Sequence, residues 1–213
     1  MKKHFWKIEY SITLFVIIAI GLLLIPTKFV APKEASYISE WNHIFHKMEY
    51  VFSAMNAHAD SDIIKGFNKA KTNEERELFM MNLLKPYLRL SELNEHQEKK
   101  YNTHYMNSLK VLPDEDFYFD NLYHASNNHI VGIKDVKNTD IYHPAFIMLF
   151  DVNGLRGPNT WGRDIFGLNI FIDGKISPLG TGLSTQQLQK DCSTGGSGVF
   201  CSQYYRIGGD FNE

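Results

Sequence analysis

Between positions 151 and 164 the chain reads Asp151-Val152-Asn153-Gly154-Leu155-Arg156-Gly157-Pro158-Asn159-Thr160-Trp161-Gly162-Arg163-Asp164. Asp151, Asn153 and Asp164, with Asn159 nearby, place oxygen-bearing side chains in one short loop. Such donors suit a hard cation, and calcium takes roughly six to eight oxygens from carboxylates, amides and backbone carbonyls. The same residues also make a rigid turn, with Gly154 and Gly157 supplying positive φ and the Asp and Asn side chains capping backbone amides. The spacing is not that of an EF-hand, because Leu155 and Arg156 follow Gly154. A calcium site and a purely structural turn both remain open on the sequence.

Other chemistry-bearing residues are sparse. His43 and His46, with Glu49 beyond, stand three apart on one helical face but have no recognisable second-helix partner, so a surface or groove position is expected. His124, His129 and His143 occur singly. Cys192 and Cys201 flank Ser193-Thr194-Gly195-Gly196-Ser197-Gly198, with no histidine at zinc-site spacing. In an oxidising compartment a disulfide closing this floppy loop is the natural reading, worth about 2–3 kcal/mol by chain entropy; free thiols are the other. There is no nucleophile elbow, no H-E-x-x-H pair and no phosphate-binding glycine loop. Asp114 and Asp116 follow Pro113 in a turn, where solvated capping is the default. A non-enzymatic protein is therefore expected, with no cofactor beyond the calcium considered above. A net charge of −2 and the absence of any Lys/Arg run argue against a nucleic-acid partner.

The elements that position these residues follow from periodicity. From Glu34 a helix carries Trp41, Ile44, Phe45, Met48, Val51, Phe52 and Met55 at steps of three and four, one apolar stripe suited to a core. A second helical region spans Asp60 to Leu90. Ile63, Ile64 and Phe67 form one short face, and Thr72 with Glu75 makes a capping box for a helix burying Leu78, Phe79, Met81 and Leu84. Pro86 should bend or end it, and Ser91 to Thr103 reads as a polar linker. Strands are expected near Phe117–His124, His129–Lys134, Ala145–Asp151, Ile165–Ile172 and Lys175–Pro178, with turns at Asn128 and Asn153-Gly154 and a two-residue hairpin at Asp173-Gly174. Helices first and strands afterwards imply an α+β fold with an antiparallel sheet.

At the other end, Ile12 to Pro26 is uncharged and apolar, and with Tyr10 and Ser11 it approaches the length that spans a bilayer. Lys2, Lys3 and Lys7 precede it and favour a cytoplasmic N-terminus by the positive-inside rule. A cleaved secretory signal is the alternative, but no small-x-small site follows the run. Residues 1–32 are thus expected to form a cytoplasmic tip and transmembrane helix, and residues 33–213 an extracytoplasmic domain, helical over 34–90 and mainly β over 105–213.

Phe5, Glu9 and Pro26 stand, without gaps, where type IV pilins and type II secretion pseudopilins carry Phe after a basic leader, Glu four residues on and a helix-bending Pro. The 151–164 loop resembles the same family, whose members often carry D-x-N-G, G-P-N and G-x-D before a strand and an x-D-G-x turn, here Asp173-Gly174. The Cys192–Cys201 loop matches the disulfide that often closes these domains. The resemblance covers the first 26 residues and about 145–205, and residues 60–140 match nothing in it. It implies an N-terminal transmembrane helix continuing into a helix packed on an antiparallel sheet. It further implies single-pass inner-membrane location and a subunit that assembles with its like into a pilus or secretion pseudopilus. Glu9 would set register between subunits, and a prepilin peptidase would process the leader. The family's leader ends in glycine where this chain has His4, which points instead toward a monomeric, membrane-anchored binding protein on the same scaffold.

Overall fold

A computed structural model describes residues 13–17, 31–58, 69–102, 117–119, 121–137 and 140–210. Two compact units are present, Met1–Lys33 and Glu34–Glu213. In the first, residues 13–17 are helical and leave Leu14, Phe15, Val16 and Ile17 exposed. Among the described residues no helix is long and apolar enough to cross a membrane. Most of the apolar run, with His4, Phe5, Glu9 and Pro26, lies outside them, as do Ile63, Ile64, Phe67 and the Asp114/Asp116 turn.

The second unit is α+β. Among the described residues six antiparallel strands follow one another as a meander: β1 (Ser91–Glu92), β2 (Leu122–His124), β3 (Ile130–Asp135), β4 (Phe146–Asp151), β5 (Ile165–Ile170) and β6 (Ile176–Pro178). Helix α1 (Ala31–His58) buries the whole stripe from Trp41 to Met55. Helix α2 (Asn73–Leu88) starts at the expected Thr72/Glu75 capping box, with each side chain bonded to the other's backbone N–H.

The central strands are buried on both faces, and their residues alternate accordingly. Val131, Ile133, Phe146, Met148, Phe150, Phe166, Leu168 and Ile170 pack with α1 and α2 in one core. Ile130, Ile147, Leu149 and Ile165 enter a second core with Tyr101, Phe119 and Trp161. Gly132 lies on this second side, where a Cβ would come within 2.8 Å of the Phe119 ring. Leu93, Tyr101 and Phe119 therefore cover the second face of the sheet.

Several expectations are corrected. Leu78 is 52 % exposed, whereas Arg76, Met80, Met81, Leu84 and Leu88 face inward. The reason is phase: Arg76 bonds Asp135 on β3 at 2.8 Å and brings the 76-80-84-88 row against the sheet. Pro86 does not end α2, which runs to Leu88 and closes at Arg89 in the left-handed region. So near the terminus Pro86 removes one backbone hydrogen bond without interrupting the helix. Residues 91–102 are not a linker, since they hold β1 and helix α3 (Glu95–Asn102), opened by reciprocal Asn94/Gln97 bonds. Phe117 and Phe119 belong to no strand, and their rings pack against Trp161 instead. The Asp173-Gly174 hairpin has a three-residue loop, 172–174, with Phe171 N–H bonding the Lys175 carbonyl and Gly174 at φ 77. After the last strand come helices α4 (Thr185–Cys192) and α5 (Cys201–Arg206), which carry the two cysteines.

Candidate functional site

The β4–β5 connection holds the residues singled out by their oxygen chemistry. Asp151 ends β4, where its Cα partners are Ile130 on β3 and Ile165 on β5, so its backbone is fixed from both sides. The loop then leaves the sheet and returns, closed at its base by Val152 N–H to the Asp164 carbonyl at 2.9 Å. A turn within it bonds the N–H groups of Arg163, Asp164 and Ile165 to the Thr160 carbonyl.

Positive φ occurs at Gly154 (69°), Asn159 (51°) and Gly162 (76°), and Gly157 is not in the left-handed region. The two-glycine expectation is corrected accordingly: Asn159 takes that conformation because its amide and backbone N–H are both anchored. At Gly154 no side chain fits, because the Asn128 carbonyl of the β2–β3 turn occupies the Cβ position. The indole of Trp161, fully buried beneath β5, pins the far end of the loop.

Inside this frame the four predicted side chains come together. Asp164 is buried; its Oδ1 accepts from Thr160 N–H (2.7 Å), and its Oδ2 accepts from Asn159 N–H (3.0 Å) and the Asn153 amide (2.7 Å). Asp151 is equally buried, and its Oδ1 accepts from the N–H groups of Asn153 (3.0 Å) and Gly154 (2.8 Å). Asn153 Nδ2 also reaches the Tyr37 hydroxyl at 3.2 Å, and Asn159 Nδ2 donates to the Tyr101 carbonyl at 3.3 Å. Tyr37 on α1 and Tyr101 on α3 thus complete the box. Neither carries a motif, and both are far away in sequence, so only the fold identifies them.

Both carboxyls are pushed above the ordinary carboxylate range. For Asp151 the main cause is burial and the next is the Asp164 charge, against the hydrogen bonds just described. For Asp164 it is burial, opposed by the Thr160, Asn159 and Asn153 donors. The Tyr101 hydroxyl is a further donor to Asp151 and favours its charged form. Oδ1 of Asn153 and Oδ1 of Asn159 are buried without a donor. Carboxylate and amide oxygens in this state can accept hydrogen bonds or hold a hard cation.

The remaining candidates separate. Cys192 and Cys201 form a disulfide with Cα atoms 5.4 Å apart. The Asp191 carboxylate organises the enclosed ring, accepting from Ser197 N–H (2.9 Å), Ser197 Oγ (2.6 Å) and Phe200 N–H (2.8 Å). Helix α5 then locks this corner to the rest, since Trp41 Nε1 donates to the Ser202 carbonyl (2.9 Å) and Gly167 N–H to Ser202 Oγ (2.8 Å). His43 is exposed, and His46 Nδ1 pairs with Glu49 at 2.9 Å while its Nε2 faces Arg206. His143 pairs with the nearby Asp140, and His129 with Glu40 of α1 at 3.2 Å. Among the described residues the one His/Cys/Asp/Glu trio close enough to share a metal is Asp191, Cys192 and Cys201, whose sulfurs are already joined to each other. No family model, no curated protein and no solved structure matches this chain.

Proposed function

We propose that this chain is a structural, non-enzymatic subunit of the pilin or pseudopilin kind, anchored in the inner membrane with its C-terminal domain outside the cytoplasm. The observation that carries the reading is the exposure of Leu14, Phe15, Val16 and Ile17 on helical backbone, within a run that has no charge from Tyr10 to Pro26. Side chains of this type at 47–73 % exposure call for lipid or another apolar surface. Support comes also from the apolar stripe of α1 against an antiparallel sheet and from the disulfide near the C-terminus. In an assembly the apolar N-terminal helices would bundle, and Glu9 would pair with the free amine of a neighbouring subunit. His4 in the place of the leader glycine favours a second reading, a monomeric anchored binding protein that keeps its leader.

The test is the intact mass of the protein extracted from membranes of its native host, together with Glu9→Ala. A species beginning at Phe5, with filaments lost in the variant but membrane insertion kept, supports the subunit. A species beginning at Met1 that remains monomeric supports the second reading. Normal filaments from Glu9→Ala reject the register role, and release of the wild-type chain by carbonate wash rejects the anchor in both readings.

A further inference from the structure

We propose that reduction of the Cys192–Cys201 bridge turns that corner into a zinc site, with the two thiolates and the Asp191 carboxylate as its protein ligands and water in the fourth position. One carboxylate oxygen of Asp191 and the two sulfurs lie within 4.8 Å of one another, the one such trio among the described residues. Zinc takes thiolate and carboxylate ligands in a tetrahedron, with Zn–S of about 2.3 Å, which sets two ligating sulfurs roughly 3.8 Å apart. The Cα atoms stand 5.4 Å apart, so side-chain rotation alone reaches that spacing. Cys201 is buried, and a Cβ at Gly162 would come within 2.8 Å of its sulfur. Cys192 is half-buried, so it is the residue free to turn.

The third ligand is already in place. Asp191 lies in the last turn of α4, and its carboxylate is oriented by Ser197 N–H and Oγ on Oδ1 and by Phe200 N–H on Oδ2. A carboxylate offers about four lone-pair sites, so Oδ2 keeps room for a further partner. These donors belong to the ring and not to the sulfurs, and they do what the outer shell of a metal site does for a ligating carboxylate. A hollow of about 420 Å³ between α4 and the ring opens beside Asp191, giving the ion a path from solvent and room for its water. Two thiolates set the class of ion: soft sulfur selects zinc over calcium or magnesium, which take oxygen.

The chemistry balances in two steps. A dithiol reductant attacks the bridge, is itself oxidised to a disulfide and leaves both cysteines as thiols. Zinc then displaces one proton from each thiol as the two sulfurs become ligands. Bridge and metal are therefore alternative closures of one ring, the sulfur–sulfur bond under oxidising conditions and zinc under reducing ones.

The experiment uses the full chain in detergent, reduced with a phosphine that is then removed under argon, and titrated with zinc chloride alone. Cobalt(II) chloride replaces zinc for absorption spectra. The reduced wild type should bind one equivalent at least about a hundredfold more tightly than the oxidised chain, release about two protons per ion and gain in Tm. Its cobalt form should show thiolate charge transfer. Cys192→Ser, which leaves the buried Cys201 untouched, should remove the tight site. Asp191→Asn keeps an acceptor for the ring donors and should weaken zinc at least about tenfold. Should either variant fail to fold, the comparison of reduced with oxidised wild type still decides. Equal affinity of those two forms, tight binding kept by Cys192→Ser, or an undiminished affinity in Asp191→Asn would overturn the proposal. The outcome is independent of anchoring and assembly, because a chain that fails the Glu9→Ala test can still bind zinc at this corner.

Discussion

Reducing the Cys192–Cys201 disulfide should destabilise the domain by about 2.6 kcal/mol without unfolding it. The bridge spans a sequence separation of 9, and the chain-entropy relation, with its constant of about 2.1 cal/mol/K and its 1.5R ln n dependence, yields that figure near 25 °C. The native ring should survive reduction, because three hydrogen bonds to the Asp191 carboxylate, from Ser197 N–H, Ser197 Oγ and Phe200 N–H, hold it independently of the sulfurs. Cys201 is itself buried against Gly162 of the β4–β5 loop, so its position does not rest on the bridge alone. The effect therefore acts chiefly on the unfolded chain, which gains freedom when the cross-link is cut. The assay is urea unfolding of the full chain in detergent, oxidised and reduced, followed by tryptophan emission; Trp41 and Trp161 are both fully buried and should shift to the red on exposure. The reduced protein should show a lower midpoint, an unshifted emission maximum in the absence of urea and an equal or slightly larger m-value. A stability change below about 1 kcal/mol would refute the entropic account. A red shift before any urea is added would refute the claim that Asp191 keeps the ring in place.

Two further predictions test the packing and its titration. Trp41→Ala should cost roughly 3–5 kcal/mol in the same assay, because it empties the space stacked on Phe166 and removes the donor to the Ser202 carbonyl; a loss under 1 kcal/mol would mean that α1 is not seated on β5 as described. His129 is held below the usual histidine range, mainly by burial and also by Lys47 and His43, with Glu40 opposing. Its neutral form is therefore the one folding favours: the stability is fully present above the unfolded value near 6.5 and is lost as pH falls from there toward the folded value. His129→Gln should flatten that part of the urea-midpoint profile, and an unchanged slope would sink the assignment.

The sequence determined those elements whose causes are local. The α1 stripe recurs at helical steps, Thr72 and Glu75 make a reciprocal cap, and the β3 to β6 segments alternate or run apolar between turn residues, so each announces itself within a few positions. The same kind of signal stands at Asn94/Gln97 and at Ser184/Gln187, whose side chains and backbones cap α3 and α4 reciprocally. The phase of α2 was not local: it depends on Arg76 finding Asp135 on a strand 59 positions away, and so Leu78 points outward despite its hydrophobicity. Nor could periodicity show that the sheet is covered twice, because buried strands look alike whichever layer lies over each face. Asp151, Asn153, Asn159 and Asp164 could be picked out by type and spacing. Only the tertiary structure decided that all four share one buried box, that Tyr37 and Tyr101 close it, and that its two amide oxygens lack donors. Burial and hydrogen-bond completion are properties of what surrounds a side chain, and its surroundings are assembled from distant parts of the chain.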